Sequence, residues 1–219
     1  MQEPDAFRPI PLMTLRIVVI GAGGHAHVVV DTLKAAGDYE VAGIVSQDQG
    51  LTDVLNVPWI GHDDVIPGLL ALGIKGFLVA VGDNSVRRRL FGFALSHGLI
   101  PVQAIHPSAV VAQDVYVGRG VVMMANAVVN SASRIEDNVI INTGATVDHH
   151  AWIGPDVHIA PGCHLAGRVR VGAASFLGTG VSVIPEITIG ERAMIGAGAT
   201  IYRDVPDDSR VVGPSMRFM

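Results

Sequence analysis

The stretch INTGATVDHHAWIGPDVHIAPGCHL, residues 141–165, carries an aliphatic side chain at every sixth position: Ile141, Val147, Ile153, Ile159 and Leu165. The rhythm runs on in both directions. Upstream it takes in Ile105, Val111, Val117, Met123, Val129 and Ile135; downstream it takes in Val171, Leu177, Val183, Ile189, Ile195 and Ile201, with no break in phase. Four residues after each of these the side chain is small or β-branched, from Ala109 to Val205. Glycine recurs one residue after the aliphatic position, at 118, 154, 172, 178, 190 and 196. A strict period of six does not keep one face of an α-helix, so an amphipathic helix is excluded. The pattern is that of a solenoid, in which each hexapeptide lays down one short strand, turns its aliphatic side chain inward and bends. Three hexapeptides, about 18 residues, close one three-sided coil, and stacking buries an aliphatic column that no single repeat could bury. Residues 105–206 then form between five and six coils.

The preceding part of the chain has another rhythm. Leu15 to Ile20 is a continuous apolar run, as a strand buried on both faces requires. It leads into Gly21-Ala22-Gly23-Gly24-His25-Ala26, and residues 26–36 carry a helical pattern that ends at Gly37, a natural C-cap. Strands are predicted at Tyr39–Val45, Phe77–Val81 and Leu99–Val102, and helices at 62–72 and 85–97, the last capped by Asn84 or Ser85. Alternating strands and helices predict a small parallel α/β domain of Rossmann-like type. The domains expected are a lead-in at 1–13, an α/β domain at 14–103, the β-solenoid at 104–206 and a tail at 207–219.

Bulk properties narrow the function. Hydrophobic residues make up 49% and charged residues 16% of the 219, which is not a disordered composition. The net charge of −5 with no basic stripe argues against a nucleic-acid partner. Arg87-Arg88-Arg89 reads as a solvated helix face, with a local phosphate contact as the alternative. The one cysteine, Cys163, cannot form an internal disulfide, and it falls on an inward small position where a thiol packs as an apolar group. No apolar stretch is long enough for a membrane span, and Glu3 and Asp5 break any signal-peptide pattern, so a soluble cytoplasmic protein is expected.

The inward column is apolar, so chemistry belongs to outward and turn positions. Asn142, Asp148, His149, His150, His158 and His164 cluster there. His149 and His150 follow the inward Val147 by two and three residues and point out at a turn. Gly167 lies one coil beyond His149 and leaves a bare backbone N–H beside the imidazole. A histidine poised near neutral pH suits proton abstraction from an attacking amine or hydroxyl, and a fixed N–H suits an oxyanion. Asp148 or another neighbour is expected to fix the imidazole tautomer. A zinc site built from the histidines is the sharper rival. In the first domain, Gly21 to Ala26 fits G-x-G-x-x-A between a strand and a helix and would hold a phosphate at the helix N-terminus. The acidic residue expected about 20 residues later is poorly met by Ser46, Gln47 and Asp48, which argues for a nucleotide-sugar pocket over a dinucleotide-dependent oxidoreductase.

Gly21–Ala26, Val81-Gly82-Asp83-Asn84, and Asn142 through Asp148-His149 together resemble the sugar-nucleotide acyltransferases of the left-handed β-helix superfamily. These include the perosamine and bacillosamine N-acetyltransferases and the sialic-acid O-acetyltransferases. The resemblance spans about 15–213 and implies a left-handed parallel β-helix, a homotrimer, acetyl-CoA as co-substrate without a metal, and a nucleotide-linked amino sugar held by the first domain. It implies a catalytic group of His149, Asp148 and His150, with His149 as the base; His150 stands where relatives often carry an acid, so that tuning falls to Asp148 or the substrate, or is not needed. It places coenzyme contacts at His158, Gly167, Thr179 and Ala197. Substrate contacts fall at Gly23, Gly24, His25, Ser46, Asp48, Gly82, Asn84 and Asn142. The expected activity is N-acetylation of the sugar, with O-acetylation as the alternative.

Overall fold

The computed structural model describes residues 14–47 and 53–213. The chain opens with β1 (Leu15–Ile20), α1 (Gly24–Ala36) and β2 (Tyr39–Val45). A hairpin of β3 (Asp53–Val54) and β4 (Val57–Gly61) follows, turning at Leu55 and Asn56, both with positive φ. A 3₁₀ helix over Asp63–Leu72, β5 (Gly76–Val79), α2 (Asn84–Ser96) and β6 (Ile100–Pro101) complete the domain. The sheet order is β3-β4-β2-β1-β5-β6, parallel except at the β3–β4 edge. The sequence pattern missed that hairpin, which is too short to show alternation. The helix expected at 62–72 winds as 3₁₀ with Pro67 inside it, and proline supplies no N–H to an α-ladder. The cap of α2 is Asp83, one residue before the expected Asn84: its Oδ1 accepts from Ser85 N and Val86 N, both at 2.9 Å.

From Ala104 the chain winds as a left-handed parallel β-helix. Two-residue strands recur every six residues from Ala104–Ile105 to Thr200–Ile201. With Arg210–Val211 they stack into three faces of seven, six and five strands. The first face runs through Ala104, Val122, Ile140, His158, Phe176, Met194 and Arg210; the second holds Thr146 over His164; the third holds Arg134 over Trp152 over Arg170. Partners in register are one coil apart, as Val122 and Ile140 are. All seventeen residues of the six-residue series join one core, most of them fully buried. Ser133 and Ser175 also face inward, and each is satisfied by backbone of the next coil: Ser133 Oγ donates to Asp148 O and Ser175 Oγ to Gly190 O, at 2.9 and 2.6 Å. The turns put every sixth residue from Gly120 to Gly198 in the left-handed region, His150 among them with φ 59°.

Residues expected to begin a tail add another layer. Arg210–Val211 pairs with Met194–Ile195, and the last coil is two residues shorter than the others, since Ile189 bridges Val205.

The α/β domain sits on the first face. Outward Ala104, Val122 and Ile140 share a buried cluster with Ala26, Val29, Val30 and Leu33 of α1 and Ile17 and Val19 of β1. The outward column of that face therefore changes character along its length. Its first three residues are apolar and covered, His158 lies at the seam, and Phe176, Met194 and Arg210 line an open groove.

Candidate active site

At the C-terminal ends of β1, β2 and β5 a 350 Å³ cavity is lined by Gly21–His25, Ser46, Gln47, Gly82 and Arg89. This is where open α/β sheets bind ligands. Gly21 is fixed by space and by φ, at 120°: a Cβ would stand 2.7 Å from Ala80 O. A Cβ at Gly23 or Gly24 would meet nothing, so these two positions leave room over the start of α1. Ser46 lines the cavity; Asp48 lies outside the described residues. His25 also lines it, with Nε2 buried and without a hydrogen-bond partner among the described residues. Burial and then the charge of Arg87 push the His25 imidazole down to about 4, so it is neutral.

Gly82 and Arg89 continue into a second hollow of 750 Å³, between the start of α2 and the first face, which takes in Asn84, Arg88, Phe176, Met194 and Arg210. Phe176, Met194 and Arg210 in turn line a 610 Å³ groove with Thr179, Ala197 and Gly213. The three spaces form one trough from the glycine-rich turn down the first face. Thr179 and Ala197 sit at turn positions whose N–H groups bond to no protein acceptor among the described residues. The trough is apolar along Phe176 and Met194 and cationic around Arg88, Arg89 and Arg210, which suits a long ligand with an apolar arm and phosphates.

His158 is 8% exposed and joins the two domains. Its Nδ1 lies 3.1 Å from Gly82 O and its Nε2 lies 3.3 Å from Asn142 Nδ2. Burial lowers its imidazole to about 4 against the opposing bond to Gly82, with Arg87 and His25 adding to the depression. Asn84 Nδ2 donates to Ala174 O and Ser175 O at 2.9 and 3.0 Å, leaving Oδ1 buried and without a partner among the described residues.

His149 belongs to a different part of the molecule, the exposed corner between the second and third faces. The imidazole lies against the next coil: a Cβ on Gly167 would stand 2.6 Å from its Cε1 and 2.7 Å from its Nε2. The N–H of Gly167 bonds to no protein acceptor among the described residues. Asp148 makes no hydrogen bond to the imidazole among the described residues. Its Oδ1 accepts from Asn130 Nδ2 at 2.9 Å and from the backbone N–H of His149 at 2.7 Å, and these bonds, Asn130 first, lower its carboxyl below the usual range. The group on the ring is His150, whose Nδ1 lies 3.1 Å from His149 Nδ1 with the rings edge to face. His164 is bonded across the second face, Nδ1 to Thr146 Oγ1 at 2.9 Å. Among the described residues no three His, Cys, Asp or Glu side chains converge as a metal site.

The candidates thus form two groups. The glycine-rich turn, Gly82, Asn84, Asn142 and His158 gather at the domain seam; His149, His150, Asp148 and Gly167 gather at the far corner. The strand Thr146–Val147 separates Asn142 from His149 in the chain, and among the described residues no hydrogen bond joins their side chains. The sequence reading of Arg87 needs correction. Arg87 is 1% exposed, and its guanidinium donates only to backbone carbonyls. Arg88 pairs with Asp156 and Arg89 with Asp63. The usable signal for the buried seam was the apolar outward column at 104, 122 and 140, where a free face would be polar.

Residues 16–92 match the PglD N-terminal domain, and residues 132–167 and 168–203 match the bacterial transferase hexapeptide (six repeats). PerB from Caulobacter crescentus, solved with CoA and GDP-perosamine, is 46% identical; the match covers 90% of this chain and 93% of that one, with a TM-score of 0.87. The acetyltransferase domain of PglB from Neisseria gonorrhoeae, also solved with acetyl coenzyme A, is 40% identical over 90% and 96% of the two chains, with a TM-score of 0.84. A UDP-N-acetylbacillosamine N-acetyltransferase of Bacillus subtilis is 35% identical over 120 residues, and the match spans 51% of that protein.

Proposed function

The chain belongs to the hexapeptide-repeat sugar N-acetyltransferases of the perosamine and bacillosamine type, and on that premise we propose that it moves the acetyl group of acetyl-CoA to the amino group of a nucleotide-linked amino-deoxysugar. The relatives solved with CoA, acetyl coenzyme A and GDP-perosamine support both ligand classes. The cavity at the glycine-rich turn takes the nucleotide and the lower trough takes the coenzyme arm.

In this reading the amine nitrogen attacks the thioester carbon directly. His149 Nε2 takes the proton that the amine loses, the tetrahedral oxyanion rests on the Gly167 N–H, and the C–S bond breaks to release coenzyme A. The observation that carries the reading is the His149 imidazole seated against a glycine with a free N–H. For Nε2 to accept, Nδ1 must hold the ring proton and donate it to His150 Nδ1, so His150 supplies the orienting contact expected of an acid. Because the nucleotide cavity and the His149 corner are separate in one chain, the working site is completed between copies, in a homotrimer.

The test is His149→Asn. Turnover with acetyl-CoA and an amino-sugar nucleotide should fall by roughly 10²–10⁴-fold, the usual contribution of a general base. Thermal unfolding and acetyl-CoA binding should stay near those of the parent. A variant with near-normal turnover removes His149 from the role.

A further inference from the structure

Within the group at the domain seam runs a chain of hydrogen bonds whose ends are both backbone. At one end the Thr143 N–H, which can only donate, bonds to Asn142 Oδ1 at 2.8 Å. That fixes the carboxamide, so Nδ2 is the atom facing His158 Nε2 at 3.3 Å. A carboxamide nitrogen only donates, so His158 Nε2 must accept and the ring proton must sit on Nδ1. At the other end Nδ1 meets Gly82 O at 3.1 Å, a carbonyl that only accepts. The polarity is thus consistent from end to end, and only the neutral Nδ1–H tautomer of His158 satisfies it.

Gly82 O has a second donor, Arg87 Nη1 at 3.4 Å. The same Nη1 donates to Val81 O at 3.2 Å, Nε donates to Asn138 O at 3.1 Å, and Nη2 donates to Asp156 O at 2.7 Å and Val157 O at 3.4 Å. Arg87 therefore ties the loop after β5 to two coils of the solenoid with one planar group. Its charge is not neutralised by a direct carboxylate bond, and it faces the histidine from α2 while His25 faces it from α1.

We propose that Arg87 is a positioning residue for the transfer reaction: by pinning the Gly82 carbonyl it holds His158 as the Nδ1–H tautomer, and His158 holds Asn142 so that its remaining amide N–H is presented to the substrate. His158 in this arrangement is an orienting acceptor and does not move a proton. Were it protonated, Nε2–H would face Nδ2–H, and Asn142 would have to turn and lose its bond to Thr143. The inference rests on the acetyltransferase reading for its consequence, not for its geometry.

Two measurements test it separately. A long-range ¹⁵N spectrum of the unaltered protein at neutral pH should place the His158 proton on Nδ1; an Nε2–H ring or an imidazolium overturns the relay whether or not the protein is active. Kinetics then test the role. Arg87→Lys keeps the charge but not the planar fork. It should lower kcat/KM for the amino-sugar nucleotide on the order of 100-fold, the cost of a misplaced reacting group, with the KM for acetyl-CoA little changed. Arg87→Gln removes the charge as well. Protonation of His158 then becomes easier, so the acid limb of kcat/KM should move to higher pH, whereas Arg87→Lys should leave that limb in place. The other titratable and charged groups near the seam, His25, Asp83, Arg88 and Asp156, are common to both variants. Parental kinetics in Arg87→Lys, or identical pH limbs in the two variants, overturns the positioning role. Unaltered protein that shows the tautomer but no acetyl transfer sinks the acetyltransferase reading and leaves the relay standing.

Discussion

Gly167 is the residue at which one methyl group separates two outcomes. Its φ lies outside the left-handed region, so alanine is allowed there by the backbone, but the added carbon would sit 2.6 Å from the His149 ring. The imidazole must swing away while the coil around it stays intact. Gly167→Ala should therefore cut turnover on the order of 100-fold, the effect of displacing a catalytic group by about 1 Å, with circular dichroism and unfolding temperature little changed. An active variant would separate ring position from catalysis. This pair was legible in the sequence because coil stacking converts a separation in number into a contact in space. Arg87 was not legible. Its carbonyl partners at 138, 156 and 157 lie in another domain, and nothing in a run of three arginines distinguishes the buried one. The bonding of Asp148 has a local reason: a carboxylate one residue before a turn caps the backbone N–H within reach.

At the scale of elements, the hexapeptide strands were readable almost residue by residue, since each needs one inward aliphatic side chain and one small one. Short elements that pack on something else were less so. The β3–β4 hairpin offers two residues on one side, and the 3₁₀ helix at Asp63–Leu72 has the apolar spacing of an α-helix until Pro67 is considered. The docking of α1 on the first face is the contact that sets the whole trough, and it depends on Ala104, Val122 and Ile140 pointing out of the solenoid into a second core. Ile140→Ala should cost about 2–5 kcal/mol in urea unfolding, as expected for a large-to-small change at a fully buried aliphatic site. Because the inward column is untouched, the loss should fall on the α/β domain, with amide exchange rising first in α1. A loss shared evenly by the solenoid would mean the two parts unfold as one.

For the whole molecule, the solenoid acts as a rigid ruler and the α/β domain as a cap set against its upper coils. Thr179 and Ala197, one coil apart along the trough, keep N–H groups that bond to no protein acceptor among the described residues, while Arg87, Asn84 and His158 lock the cap to the ruler through backbone carbonyls. One chain carries a cavity at the glycine-rich turn and a His149 corner that share no lining residue. A structure with coenzyme A and a GDP- or UDP-linked amino-deoxysugar tests the account most directly. The sugar amine should lie about 3 Å from His149 Nε2, at hydrogen-bond reach, with the nucleotide in the cavity at Gly23 and Gly24 of a neighbouring copy. A sugar bound elsewhere, with His149 left facing open solvent, would contradict it.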